Sequence, residues 1–162
     1  YAVQIAMTET VSVFERLVAL LNQSQASFDV LRHAPVYTSE EAAAIRGTSL
    51  ASGAKALICK TGPDMTMFVM PADRRLNSKA ARKLGFRDLR FATRDEVFGL
   101  TSLLPGSIPP FGQLFGLQTW CDEQLLEQQR INFNAGDHAI SISMLPSDYQ
   151  RIEQPRVASF SE

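Results

Sequence analysis

Apolar residues recur along this chain in two periods, and the switches between them mark out the elements. Over residues 8–22 they fall at three- and four-residue steps, with Val11, Phe14, Val18 and Leu21 on one face. That spacing predicts a helix. Thr8 or Thr10 can cap it, and the polar run Asn22, Gln23, Ser24, Gln25 ends it. Residues 27–33 alternate, with Phe28, Val30 and Arg32 against Asp29, Leu31 and His33. This reads as a strand stopped by Pro35. Thr38 and Glu41 form a capping box for an alanine-rich helix that stops at Gly47. Residues 53–61 alternate again, with Ala54, Ala56 and Ile58 on one side and Lys55, Leu57 and Cys59 on the other. Thr61-Gly62-Pro63-Asp64 is turn chemistry, and residues 65–70 supply the partner strand of a hairpin.

Further on, Asn77 or Ser78 caps a short basic helix ending at Gly85, and residues 87–91 read as a short strand. Thr93 and Glu96 make a second capping box, with the helix ending at Gly99. After the apolar run 100–104 comes Gly106-Ser107-Ile108-Pro109-Pro110-Phe111-Gly112, through which no regular element can pass. Residues 118–121 suit a strand and 122–127 a helical turn or two. Residues 131–134 and 139–144 flank an Ala135-Gly136-Asp137 hairpin signal. Residues 146–152 read as a last helix, followed by an irregular tail. Short strands mixed with short helices, with no repeat or boundary, predict one α+β domain over 1–162. Its sheet is mixed or mostly antiparallel.

Composition narrows the function. A chain of 162 residues with 45% hydrophobic and 20% charged residues can bury its own core. No apolar run approaches the ~18 residues of a membrane span. The opening Tyr1-Ala2-Val3-Gln4 has no basic stretch typical of a signal peptide. It also lacks an initiating Met, which suits a trimmed chain or a piece of a longer one. Cys59 and Cys121 are in no CxxC spacing and read as buried free thiols in a reducing cytoplasmic setting. No HExxH, Cys/His cluster, GxxxxGK[ST] or GxGxxG is present, so neither a metal nor a nucleotide cofactor is expected.

Net charge is −1, which argues against wrapping a long duplex. One basic patch stands out: Arg74, Arg75, Lys79, Arg82, Lys83, Arg87, Arg90 and Arg94, opposed within that stretch only by Asp88. It is either a solvated face or the seat of a polyanion. Lys55, between two alanines on an apolar strand, either reaches solvent or enters a cleft walled by small residues, where it can bind a carbonyl or phosphate oxygen. His33 is a loop or core histidine, or a base. The Gly/Pro loop is a buried crossover, or a rigid cradle for a small polar group.

These pieces, in this order, resemble the YbaK/ProX editing domains, a family also found inserted in bacterial prolyl-tRNA synthetases. The resemblance runs over about residues 28–145. It is carried by His33-Ala34-Pro35-Val36-Tyr37-Thr38-Ser39-Glu40-Glu41-Ala42, by Ala54-Lys55-Ala56-Leu57, by the basic helix 76–83 with Leu84-Gly85, by the GxxxP loop 106–110, and by Asn134-Ala135-Gly136 through Ile142. The stretch 100–104 before the loop departs from the family and reshapes one pocket wall. The resemblance implies a barrel-like fold with short helices around the sheet. It implies hydrolysis of the ester joining a wrong amino acid to the 3′ terminal adenosine of tRNA, mostly tRNA for proline carrying alanine, cysteine or another small residue such as serine or threonine. It implies no cofactor, with a tRNA acceptor end and a synthetase as partners. Carried over, Lys55 binds a terminal phosphate or the substrate carbonyl. Gly106, Ser107, Ile108, Pro109 and Pro110 hold the aminoacyl end by backbone groups, with Gly106 and Ser107 N–H doing the holding. Thr38, His33 and Gly136 are further pocket residues. Arg74, Arg75, Lys79, Arg82, Lys83 and Arg87 would engage acceptor-stem phosphates. The rival classes are a tRNA-end or nucleotide-binding module without activity, such as a regulatory segment of a larger protein, and an esterase for small non-tRNA esters.

Overall fold

The computed structural model describes residues 11–162. Its first helix, α1 (Val13–Gln23), is capped by Ser12, whose Oγ accepts from the Glu15 N–H while the Glu15 carboxylate accepts from the Ser12 N–H. The expected caps Thr8 and Thr10 lie outside the described residues. The buried face is Val13, Leu17 and Leu21, one step away from the face expected from the sequence; Val11 is exposed. Phe14 and Val18 form its half-buried shoulder, where Phe14 lies under the Arg32 guanidinium.

The strands form two sheets. β1 (Phe28–Arg32) and β6 (Ile131–Asn134) flank β7 (Ile140–Met144), all antiparallel. The larger sheet has the order β4-β2-β3-β5-β8, where β2 is Ala54–Thr61, β3 Asp64–Pro71, β4 Leu89–Phe91, β5 Gln118–Asp122 and β8 Arg156–Ala158. β2 pairs antiparallel with β3 and β4, whereas β3–β5 and β5–β8 are parallel, so the sheet is mixed as expected. The β2–β3 hairpin turns through Gly62 and Pro63. Along β3 the side chains Met67 and Val69 enter one core with Leu17, Phe111, Phe133 and Tyr149. Phe68 and Met70 enter the other, where Phe68 meets Phe86 and Phe160 edge to face. A strand buried on both faces belongs in the middle of its sheet, and β3 is there.

The barrel expectation fails. The two sheets meet at one isolated bridge, Gly53 to Asn132, reinforced by the Asn132 amide donating to Ser52 Oγ at 3.0 Å. The start of β2 and the residues of β6 both line the cleft described below.

The further helices are α2 (Ser39–Arg46), α3 (Ser78–Lys83), α4 (Arg94–Thr101) and α5 (Pro146–Glu153). Both expected capping boxes form. Helix α4 runs through Gly99 instead of ending there. It stops two residues later, where the Thr101 hydroxyl donates to the Val97 carbonyl and Ser102 takes a left-handed conformation. The tail is not irregular. Residues 156–158 add β8, and the buried Asp122 carboxylate then accepts from the Phe160 N–H and from the N–H and hydroxyl of Ser161. Among the described residues no helix is long and apolar enough to cross a membrane.

Candidate active site

Four segments converge on a cleft of about 190 Å³. The start of β2 brings Ala54, Lys55 and Ala56; the capped end of α2 brings Tyr37, Thr38, Ala42, Ala43 and Arg46. The Gly/Pro loop brings Gly106 and Ile108, and β6 brings Asn132, Phe133 and Asn134. Ala72 closes one side. Five alanines (Ala42, Ala43, Ala54, Ala56 and Ala72) are among its lining residues.

Lys55 takes the second of its two sequence readings: it lines the cleft. Its ammonium donates to the Arg74 carbonyl. Burial lowers its pKa, while Asp73 and Glu40 oppose that by their charge. A cation kept partly dry in this way interacts more strongly with a ligand oxygen than one in bulk water.

The loop is pinned from outside. The Tyr149 hydroxyl donates to the Pro110 carbonyl at 2.8 Å and the Gly112 N–H to Thr119 Oγ1 at 3.1 Å. The Thr119 hydroxyl in turn donates to Glu153 at 2.5 Å, a carboxyl whose pKa burial raises. Gly112 permits this closeness: a Cβ there would lie 2.3 Å from Thr119 Oγ1. The Asn134 amide donates to the Gly106 carbonyl at 2.7 Å, and the Gly136 N–H to the Ser107 carbonyl at 2.8 Å. Gly106 has φ +93°, a left-handed conformation that other residues reach only with strain.

These bonds decide which N–H groups remain for a ligand. The Ser107 N–H turns to the Leu104 carbonyl at 3.3 Å, and its hydroxyl donates to the same atom at 2.8 Å. Ser107 is therefore a turn residue. Among the described residues no partner meets the N–H of Gly106 or of Ile108. The unpartnered N–H groups of the loop are therefore those of Gly106 and Ile108, where the sequence reading expected Gly106 and Ser107.

The other expected site residues separate. Thr38 lines the cleft, but its hydroxyl oxygen accepts from the Glu41 N–H at 3.1 Å. Ser107 and Gly136 border a neighbouring hollow, and Pro109 and Pro110 are buried behind the loop. His33 stands outside, with its ring bonded to the Ala34 carbonyl and to Ser141 Oγ at 2.7 Å. Within the basic stretch, Arg74 is committed to Ser161, Arg75 sits by Glu162, and Arg90 pairs with Glu96. Lys79, Arg82, Lys83 and Arg87 stay exposed without an ion pair among the described residues.

Sequence reasoning missed Arg46 and Asn134. Arg46 donates to Ser141 Oγ at 2.8 Å and to Asn134 Oδ1 at 2.9 Å. Burial pushes its pKa down to about 10. It thus holds the amide that holds Gly106. In the sequence it is merely the basic residue of a helix's last turn, a usual solvent position. Asn134 reads in the sequence as the last residue of the strand 131–134, before the Ala135-Gly136-Asp137 turn signal.

Residues 33–152 match the family described as the aminoacyl-tRNA editing domain. The chain belongs to that family. A protein of Escherichia coli (strain K12), the multifunctional Ser/Thr-tRNA deacylase ProXp-y, is 37% identical over 152 residues, covering 90% of this chain and 91% of that one. The fold is similar to the crystal structure of hypothetical protein APE2540, with a TM-score of 0.84, 25% identity, and 91% and 100% of the two chains covered. It is also similar to a candidate trans-editing enzyme for prolyl tRNA synthetase, with a TM-score of 0.82, 23% identity, and 95% and 99% covered. The editing-domain family thus spans the segments that build the cleft, from His33 to α5.

Proposed function

We propose that this editing domain removes serine, threonine or a similarly small amino acid from mischarged tRNA by hydrolysing the aminoacyl ester. The observation that carries the reading is a cleft lined by alanines, Lys55, Gly106 and Ile108, in which the Gly106 and Ile108 N–H groups have no partner among the described residues. The E. coli relative named for Ser/Thr-tRNA deacylation supports the choice of amino acid.

In this reading the acyl side chain faces the alanines and the ester carbonyl points at the loop. Water attacks the carbonyl carbon. The new C–O bond forms as the carbonyl electrons move to the oxygen, where the two N–H groups and the Lys55 ammonium stabilise the oxyanion. Collapse breaks the ester C–O bond; the leaving ribose oxygen takes the proton that the attacking water gives up, and the amino acid leaves as its acid. The ester is already activated, so positioning the water and stabilising the oxyanion are enough. A methylene changes binding by only ~1–3 kcal/mol, so a synthetase pocket admits smaller side chains and a second, hydrolytic site corrects the error. Lys79, Arg82, Lys83 and Arg87 would meet acceptor-stem phosphates, making the reaction salt-dependent.

The test is a deacylation panel of seryl-, threonyl-, alanyl- and cysteinyl-tRNA with wild type and Lys55→Ala. Wild type should clear seryl- and threonyl-tRNA, and Lys55→Ala should lose at least about tenfold in kcat/KM, one charge-assisted interaction's worth. Binding without turnover across the panel would replace the deacylase by a tRNA-end binding module. Turnover insensitive to charge reversal at Arg82, Lys83 and Arg87 would point to a small-ester hydrolase.

A further inference from the structure

The cleft accommodates the acyl half of an aminoacyl ester and leaves the alcohol half without a seat. Beside it lies a more open hollow of about 330 Å³, bordered by Pro35, Tyr37, Leu103, Ser107 and His138. Tyr37 borders both spaces. It is 71% exposed, although an aromatic side chain of its size gains by burial.

That exposure is built, not slack. The Tyr37 N–H donates to the Glu41 carboxylate at 2.9 Å. Its ring lies against the His138 imidazole, with centroids 4.8 Å and planes 37° apart. The Val36 N–H donates to the His138 carbonyl at 3.0 Å, tying the two segments together. His138 Nε2 is 3.6 Å from where a Cβ on Gly106 would stand. The His138 ring thus props the exposed Tyr37 ring close to Gly106.

We propose that the Tyr37–His138 pair seats the terminal adenine base of the aminoacylated RNA. The inference rests on the deacylase reading above and adds to it the contact that recognises the alcohol. A flat, exposed, pre-ordered aromatic face suits a nucleobase, since base stacking needs no matched hydrogen bonds. The position suits it too: an ester whose carbonyl meets the Gly106 and Ile108 N–H groups puts its ribose at the rim, beside Tyr37. Stacking holds ground state and transition state alike, so its loss raises KM and leaves kcat in place.

The experiment compares two minihelix RNAs carrying a seryl ester, one on a terminal adenosine and one on an abasic terminal ribose. Wild type should prefer the adenosine ester by about tenfold in kcat/KM, the lower part of the range for one stacked base. Tyr37→Ala should erase that preference chiefly through KM, lowering kcat/KM for the adenosine ester about tenfold more than for the abasic ester. Tyr37→Trp should recover most of the preference. An unchanged preference in Tyr37→Ala, or an equal loss on both esters, overturns the seat while leaving the deacylase intact. If wild type hydrolyses neither ester, the deacylase reading fails. The seat is then decided by titrating the wild-type protein with adenosine 5′-monophosphate: ring-current shifts of the Tyr37 ring protons support it, and their absence overturns it.

Discussion

Replacing Arg46 by methionine should separate activity from stability. Arg46 lines the cleft, its guanidinium bonded to Ser141 and Asn134 and to no carboxylate among the described residues. Burial lowers its pKa from 12.5 to about 10. The lowered pKa means the cation is disfavoured in the folded state by about 3 kcal/mol, at 1.36 kcal/mol per unit. The sign follows directly: the penalty is present at every pH below 10 and is relieved only above it. Methionine retains much of the apolar stem and removes that penalty. It also removes two hydrogen bonds from a charged donor, each worth about 1.5–3 kcal/mol. The opposing terms nearly cancel, for a net loss of about 0–3 kcal/mol of stability. At ~2–4 °C per kcal/mol for a chain of this size, Tm should fall by no more than about 10 °C.

Activity should suffer differently. Without Arg46 the Asn134 amide loses the donor that fixes its Oδ1, and its own bond to the Gly106 carbonyl is no longer oriented. A shift of the cradle by about 1 Å can cost ~100-fold, so kcat/KM for seryl-tRNA should fall by about 10- to 100-fold at a temperature where the variant is fully folded. The assay is steady-state deacylation, with a thermal melt on the same preparation. A rate within twofold of wild type would refute the positioning role. So would a rate loss matched by the unfolded fraction.

Three further outcomes follow from the same geometry. Gly112→Ala should destabilise the protein by about 2–4 kcal/mol in urea unfolding, because its Cβ would meet Thr119 Oγ1 at 2.3 Å and the Leu117 carbonyl oxygen at 2.7 Å; a change below about 0.5 kcal/mol would show that the backbone yields freely. Asp122→Ala should cost about 3–5 kcal/mol and expose the Phe160 and Ser161 amides to hydrogen exchange, since both lose their buried acceptor; persistent protection of both amides would mean that β8 holds the tail alone. Cys59 and Cys121 should resist alkylation in the native protein at pH 8, because burial pushes both thiols up to about 12; stoichiometric native labelling would contradict it.

Local chemistry made much of this protein readable from its sequence. Capping boxes at Thr38 and Thr93, the Gly62-Pro63 turn and the alternation along β2 depend on neighbours a few residues away, and they form as expected. Lys55 and the Gly/Pro loop stood out because a charge on an apolar strand and a donor-poor loop break their local patterns. What failed depends on long-range placement. The buried face of α1 was set by what it packs on. The tail became a strand because β5 offered it a free edge and Asp122 a carboxylate. The two sheets stayed separate because the only ladder step between them among the described residues is the single Gly53–Asn132 bridge, and both of its residues line the cleft. The sequence alone supplied the cation and the rigid loop. Tertiary structure brought that loop to the cleft beside Lys55 and fixed it there through Asn134, Gly136 and Tyr149, because a backbone group is held only where a partner remote in sequence reaches it.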